Sequence, residues 1–411
     1  MSDGGDERPR MHPASPAPFR AAHAVHPQWR KCTEQLLAQL EPDARAHGAA
    51  PQATLGIVYI GAPLAQWASD IHLMLKTRTG IIDWVGTVGG SLLAGEVEYR
   101  DEPAIVAMIA TLPRDSFQVF SGVDRPPPLG TKTPRGADAA WSALAHFDPS
   151  MPDVADLVAD LAGKLEGSHL FGGLSSGDAP PLPQIGNRTF SGGVSGVVFA
   201  SDVALRTRVS QGCAALGDTR RISRCEGNLI IELDDRPALD AMLHDLGVAQ
   251  DVRQSRDGDT LLGAFPAERL RHGLYAGLSA ERDSGAMGMS GYRVRNIVGI
   301  DPHNRHVAVG ETARQGERLV FCTRDARSAR LDLVRVATEL REEIESEGLA
   351  IRGGIYISCA TRGQRLFGES GDEAALIRGQ LGDFPLIGFF SNGEIDGPTL
   401  HGHSGVLTLF V

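Results

Sequence analysis

Apolar residues recur at three- and four-residue spacing at Val154, Leu157, Val158, Leu161 and Leu165, and again at Leu331, Val334, Ala337, Leu340 and Ile344, the second run stopping at Gly348. That spacing lines one side of an α-helix. Leu64, Trp67, Ala68, Ile71 and Leu75 predict another helix. A fourth starts at Pro237, with Asp234 and Asp235 as its cap and Leu239, Met242, Leu243 and Leu246 on its buried side. Between these helices lie short apolar runs at 54–60, 104–112, 193–199, 354–358 and 405–410. They are too short and too uniformly apolar for surface helices and predict buried strands. Residues 203–210, 228–233, 293–300, 306–309 and 318–322 predict further strands, with Asp301 opening a turn before His306. The alternation places the chain in the α/β class, as mixed α+β sheets with flanking helices.

One pattern repeats. Gly-rich stretches open at Gly86, Gly172 and Gly388, and each precedes a strand centred near Val106, Val194 and Val406. A matching strand lies upstream of the first and third copies. We read a duplicated strand, helix, strand, loop, strand unit, giving two related domains with a pocket between or beside the Gly-rich loops. Polar stretches at 124–136 and 251–291 read as loops, and the second separates the copies. The boundary is therefore placed near 248. Residues 1–48 form a flexible tail with a short helix, 49–247 an N-terminal domain and 248–411 a C-terminal domain.

With 411 residues and 42% hydrophobic content, the chain can fill two cores. A net charge of −11 argues against nucleic acid or an anionic membrane as partner. Five widely spaced cysteines without a Cys-x-x-Cys pair describe reduced thiols and no zinc site. The first 25 residues lack the apolar stretch of a signal peptide, and no run approaches the ~20 apolar residues of a membrane helix. A cytoplasmic protein is expected.

Several motifs resemble the FIST module, named for F-box and intracellular signal transduction proteins. In the first half they are Val209 to Cys213 with Gly217, and Glu226 to Asp234 with Pro237 and Ala238. In the second half they are Tyr292 to Asp301, Arg324 with Asp325, Ser358 to Gly363, Gly388 to Ile395, and Leu400 to Gly402. The likeness runs from about residue 50 to the C-terminus. The family often carries Cys where Asn392 stands, so thiol chemistry is not expected in that loop. The resemblance implies an intracellular sensory module that binds a small ligand such as an amino acid. It also implies a separate signalling protein, such as a kinase or cyclase, as partner.

Polar residues within these motifs form the candidate site. Arg293 and Arg295 alternate on a strand and share a face, with Asn296 opposite; a guanidinium fork suits a carboxylate or phosphate. Arg362 follows a strand end beside Cys359 and Gly363, where it can meet an anion or pair with an acid such as Glu394. Gln211 and Glu394 suit an amino group. Asn228, Asn392 and His401 complete the ligand set: Gln211, Asn228, Arg293, Asn296, Cys359, Arg362, Gly363, Asn392, Glu394 and His401. The ligand is a small anionic or zwitterionic metabolite, and no cofactor is required.

Two alternatives remain. His401 and His403, one residue apart, would share a strand face and could contribute to a metal site. The family resemblance admits a haem-based gas sensor, with His72 or His401 as axial ligand. An enzyme of unrecognised chemistry is the third class. The Gly173-to-Gly177 stretch matches G-x-S-x-G but is followed by Pro180 and Pro181, where a nucleophile elbow needs a helix. The Gly89 loop lacks the Lys-Ser/Thr of a phosphate-binding loop.

Overall fold

The computed structural model describes residues 19–41, 53–123, 140–167, 169–268, 270, 273–280 and 291–411. The expected loop at 124–136 lies outside them. Residues 19–41, expected with the tail, begin the fold. The first unit comprises β1 (Phe19–Val25), α1 (Trp29–Leu40), β2 (Leu55–Gly61), α2 (Ala68–Thr79), β3 (Asp83–Gly89), β4 (Ser91–Ala94), β5 (Val97–Arg100) and β6 (Ala104–Ala110). The second comprises β7 (Phe117–Gly122), β8 (Ser142–Phe147), α3 (Val154–Ala162), β9 (His169–Leu174), β10 (Pro183–Gly186), β11 (Thr189–Ser191) and β12 (Val194–Phe199).

The third unit opens with β13 (Leu205–Ser210) and is interrupted by an insertion. The insertion holds β14 (Cys213–Ala215), β15 (Arg220–Glu226), β16 (Leu229–Leu233), β17 (Arg236–Pro237), α4 (Ala238–Asp245), α5 (Gln250–Arg253) and α6 (Gly258–Gly263). It continues with β18 (Leu274–Ser279), β19 (Arg293–Asp301), β20 (His306–Val309) and β21 (Arg318–Arg324). The unit then resumes with α7 (Ala326–Ser346), β22 (Gly353–Cys359), α8 (Gln364–Phe367), α9 (Asp372–Leu381), β23 (Leu386–Ser391), β24 (Glu394–Asp396), β25 (Thr399–His401) and β26 (Gly405–Phe410). The stretch 251–291, expected as a loop, therefore contains most of one short helix, the whole of another and a full strand. Its polar and Gly-rich composition masked β18, whose residues 275–279 are buried by the insertion's own core.

The repeated unit thus occurs three times. In each, the first and second long strands are parallel, as β2 with β3, β8 with β9 and β22 with β23. The last strand returns antiparallel to the first, as β6, β12 and β26. An edge strand, β1, β7 or β13, then pairs with that last strand. The hairpin of each unit leaves its own sheet: β4–β5 adds to β23, β24–β25 adds to β9, and β10–β11 adds to β3. The three exchanges close a cycle, so no unit completes its sheet alone.

The facing sides of the three sheets share one apolar core, with Leu55, Ile57, Tyr59, Leu144, Phe171, Ile355, Ile357, Phe389 and Val406 among its members. Helices cover the outer sides, α1 and α2 on the first sheet, α3 on the second, and α7 to α9 on the third. Burial on both faces explains why these strands read as unbroken apolar runs. The insertion has its own core of Ile222, Leu233, Leu239, Met242, Leu278 and Phe321.

Gly86, Gly172 and Gly388 lie inside β3, β9 and β23, not in loops. Each faces a carbonyl of its parallel neighbour, Val58, Ala145 or Tyr356. A Cβ at these positions would stand 1.9, 1.8 and 1.8 Å from those oxygens. Only glycine permits such an approach. Asp234 and Asp235 do not cap α4: both adopt positive φ and form the two-residue turn between β16 and β17.

Candidate functional site

The insertion leaves the third unit after Ser210 and returns before α7, and its strands β18 and β19 meet the end of β25 and the turn after it, Arg295 at the Leu400 carbonyl and Tyr275 and Asn296 at His403. A cleft of about 550 Å³ opens at this junction, lined by Arg208, Gln211, Tyr292, Arg293, Arg335, Asp396, Thr399 and His401 among others. A larger cleft, about 850 Å³, lies in the insertion between Asp218, Arg236, Arg253 and Arg305. It contains none of the expected site residues, and two of its arginines, Arg220 and Arg305, are already paired with Asp245 and Asp240.

Gln211 sits where β13 ends. Its backbone N–H donates to Asp332 at 2.6 Å and its amide N–H to the Tyr292 carbonyl at 3.2 Å. The side chain is 4% exposed, and among the described residues its Oε1 has no partner. His401 ends β25, and its Nδ1 is likewise buried without a partner. Burial, with Arg295 and Arg293 nearby, pushes its pKa down to about 4, so the ring is neutral. A buried acceptor left open costs about 1–3 kcal/mol unless something fills it.

Arg293 and Arg295 share a face, as their spacing predicts, and converge on Glu311 at 2.9 and 2.5 Å; Arg293 also reaches Glu317 at 3.2 Å. Arg293 still lines the cleft, whereas Arg295 turns to the Leu400 carbonyl. Arg208 and Arg335 on the opposite wall pair with Glu343 at 2.6 Å and with Asp332 and Glu339. Asp396 lies between, its carboxyl pKa raised by burial.

Behind His401 is Glu394, its direct partner across the β24–β25 ladder. Ser404 donates to Oε2 through its N–H at 3.1 Å and its hydroxyl at 2.8 Å, and Oε1 has no hydrogen-bond partner among the described residues. Burial lifts the carboxyl pKa to about 8, against the pull of Ser404 and Arg362. Cys359 contacts Thr361 at 3.2 Å, and burial with Glu394 nearby pushes its thiol up to about 11. The chain turns after β25, with His403 at φ 63°, so His401 and His403 do not share a strand face. His403 bridges Thr361 and the Asn296 side chain at 3.2 and 3.1 Å and stacks edge-on to Tyr275.

Arg362 is fully buried and faces away from the cleft. Its Nε donates to Glu373 at 2.8 Å, and its remaining nitrogens reach Ser210 and the Tyr356 hydroxyl at 3.4 Å. Glu373 also accepts from Tyr356, Ser358 and the Gly363 N–H. The guanidinium is buried and committed to this acid; the acid is Glu373, on α9, and not Glu394. Asn228 is exposed at a hairpin tip and donates to the Val309 carbonyl. Asn392 is exposed on the loop against β9.

Of the ten expected residues, Gln211, Arg293 and His401 line the cleft; Glu394 pairs with His401 across the β24–β25 ladder, Asn296 is bonded to His403, and Cys359 is buried beside Thr361. Arg362 and Gly363 belong to the buried Glu373 cluster. Arg208, Arg335, Asp396 and Thr399 were missed. Arg206 and Arg208 alternate on β13 opposite Glu339, Glu343 and Glu347 at four-residue spacing on α7, a signal present in the sequence.

Among the described residues no group of three or more His, Cys, Asp or Glu is placed to hold a metal ion. The arrangement does not fit a haem. His72 lies on α2 against Thr189, its Nδ1 at 3.1 Å, and lines neither cleft. The cleft at His401 has charged and polar walls where a porphyrin face needs apolar ones. Ser175, of the Gly173-to-Gly177 stretch, is fully buried and held by Thr87 and Gln184 at 2.6 Å each.

Two family profiles match this chain: the FIST N domain over residues 54–236 and the FIST C domain over residues 238–396. An uncharacterized protein of Mycobacterium tuberculosis is 29% identical over 343 residues, covering 80% of this chain and 83% of the relative. An uncharacterized protein of Mycobacterium bovis is 31% identical over 337 residues, covering 80% and 82%. No helix of the described residues is long and apolar enough to cross a membrane.

Proposed function

The chain belongs to the FIST family, with an N and a C domain in succession, and we propose that it is a cytosolic sensory protein whose cleft binds a small zwitterionic metabolite such as an amino acid. FIST domains are associated with sensing in signal transduction. The observation that carries the ligand class is the pair of buried, unpartnered acceptors, Gln211 Oε1 and His401 Nδ1, in a cleft that also presents Arg293. An ammonium group satisfies acceptors of this kind, and a carboxylate meets the guanidinium edge. Asp396 adds a third acceptor for the ammonium. Binding is read out by a separate signalling protein, such as a kinase or cyclase.

Native mass spectrometry of the protein purified from its own host is expected to show a retained small molecule, lost in Gln211→Leu. With a panel of amino acids, calorimetry is expected to give a saturable ligand whose affinity falls about tenfold in that variant while melting temperature holds, as suits the loss of one hydrogen bond to a charged group. A protein that carries nothing and binds no member of the panel at millimolar concentration sinks the reading.

A further inference from the structure

Beneath the cleft, a second cluster is left unexplained by ligand binding. β14 pairs antiparallel with β21, setting Cys213 opposite Arg324 and Ala215 opposite Cys322. Residues two apart on a strand share a face, so Cys213 and Cys322 are diagonal neighbours on one side of the sheet. They pack together with Tyr275, Val294 and Val320 in one small cluster. Arg324, directly across from Cys213, is 7% exposed. It donates to the Thr361 carbonyl at 2.7 Å and bonds the Tyr275 hydroxyl, but its Nε is buried without a partner. Among the described residues no carboxylate comes within ion-pair distance of it. A buried cation without a counter-charge is costly, and every other deeply buried arginine described above has an acid.

We propose that Cys213 and Cys322 are a redox pair that a hydroperoxide converts to a reversible disulfide, with Cys213 as the attacking thiolate held by Arg324 and Cys322 as the resolving thiol. The other thiols fit this division of roles. Burial raises Cys32 and Cys359 to about 11 and also raises Cys225. Cys213 alone of the five is held below its usual value, by the Cys322 thiol foremost and by Arg324 and Arg362, against burial. The neighbouring Cys213, with burial, holds the Cys322 thiol well above its usual value, so it stays protonated until it is needed. Cys213 keeps an opening of 7%, whereas Cys322 is sealed.

The chemistry balances within the pair. The Cys213 thiolate attacks the outer peroxide oxygen, the O–O bond breaks, and the alkoxide leaves as alcohol after taking a proton, giving a sulfenic acid. Cys322 loses its proton and attacks the Cys213 sulfur; the S–O bond breaks and water departs. Two thiols supply the two electrons that reduce one hydroperoxide to an alcohol and water. The bond ties β14 to β21 two residues after Gln211 and removes the thiolate that faces Arg324, so oxidation bears on the cleft whatever the cleft binds.

Treatment of the full chain with one equivalent of hydrogen peroxide, followed by denaturation in iodoacetamide and peptide mass mapping, is expected to show a Cys213–Cys322 cross-linked peptide that dithiothreitol removes. In Cys322→Ser, dimedone is expected to label Cys213. In Arg324→Gln, alkylation of native Cys213 is expected to slow roughly tenfold, since the thiolate fraction sets the rate. A disulfide joining another pair, or native Cys213 alkylated no faster than Cys359, overturns the proposal. The cross-link measurement uses the unaltered protein, so a variant that fails to fold does not protect the idea.

Discussion

The first and third units share one plan and differ in what stands between edge strand and first helix. In the first, residues 26–28 join β1 to α1; in the third, residues 211–325 separate β13 from α7. Around the short connection the polar groups are closed off, with the Cys32 thiol donating to the Ala24 carbonyl. Around the long one, Gln211, His401, Glu394 and Arg324 each keep a buried side-chain atom without a partner among the described residues. The difference shows how the cleft is built: the threefold frame supplies strand ends, and the insertion supplies a second wall.

That contrast can be broken first at the frame. Gly388→Ala should cost more than about 4 kcal/mol, because the new methyl meets a backbone oxygen that parallel pairing holds in place, and Gly86→Ala and Gly172→Ala should match it. Urea unfolding of the three variants tests their equivalence; one that melts like the parent would show that its unit is not built like the others.

Next comes the buried ion pair against the rim. Glu373→Ala strands Arg362 in the core and is expected to destabilise by about 3–5 kcal/mol, whereas Arg208→Ala at the cleft rim should cost about 1 kcal/mol or less. Equal losses would mean that the cleft wall is as tightly built as the core.

The third test is a pH dependence. Glu394 has a folded pKa near 8 against an ordinary 4.5. Below pH 4.5 both states hold the proton and nothing is lost. Between 4.5 and 8 the unfolded chain releases it first, so stability falls as pH rises, by up to about 1.4 kcal/mol per unit. His401 and His403, held down to about 4 from 6.5, act oppositely: stability falls as pH drops from 6.5 toward 4. Glu394→Gln should flatten the decline between pH 6 and 8 and leave the acid limb unchanged. A decline of unaltered slope would assign it elsewhere, with Glu98, raised to about 7 by burial, next in line.

The smallest effect is at the sheet tip. Asn228→Ala should alter stability by about 1 kcal/mol at most and leave ligand affinity alone, since the residue is exposed and its one bond is to a carbonyl of its own sheet. A tenfold loss of affinity, measured by calorimetry, would extend the site to that hairpin.

Strand positions were legible because burial on both faces leaves uniform apolar runs, and the helices at 154 and 331 because their periodicity faces a single sheet. The three glycines were legible as a repeat but not as strand residues, since a glycine that admits a neighbouring carbonyl looks the same in sequence as one that frees a loop. Arg362 shows the limit most clearly. Its place after a strand end, beside Gly363, is equally compatible with a ligand contact and an internal pair, and only the packing of α9 brings Glu373 to 2.8 Å. Local pattern records which face of an element is apolar, and so the sequence by itself determined the long helices, the core strands, their repetition and the family, but not β18, whose polar and Gly-rich surroundings hid it. The cyclic exchange of hairpins, the partner of each arginine and the open acceptors at Gln211 and His401 depend on contacts between residues far apart in the chain, which no local spacing encodes; these only the tertiary structure decided.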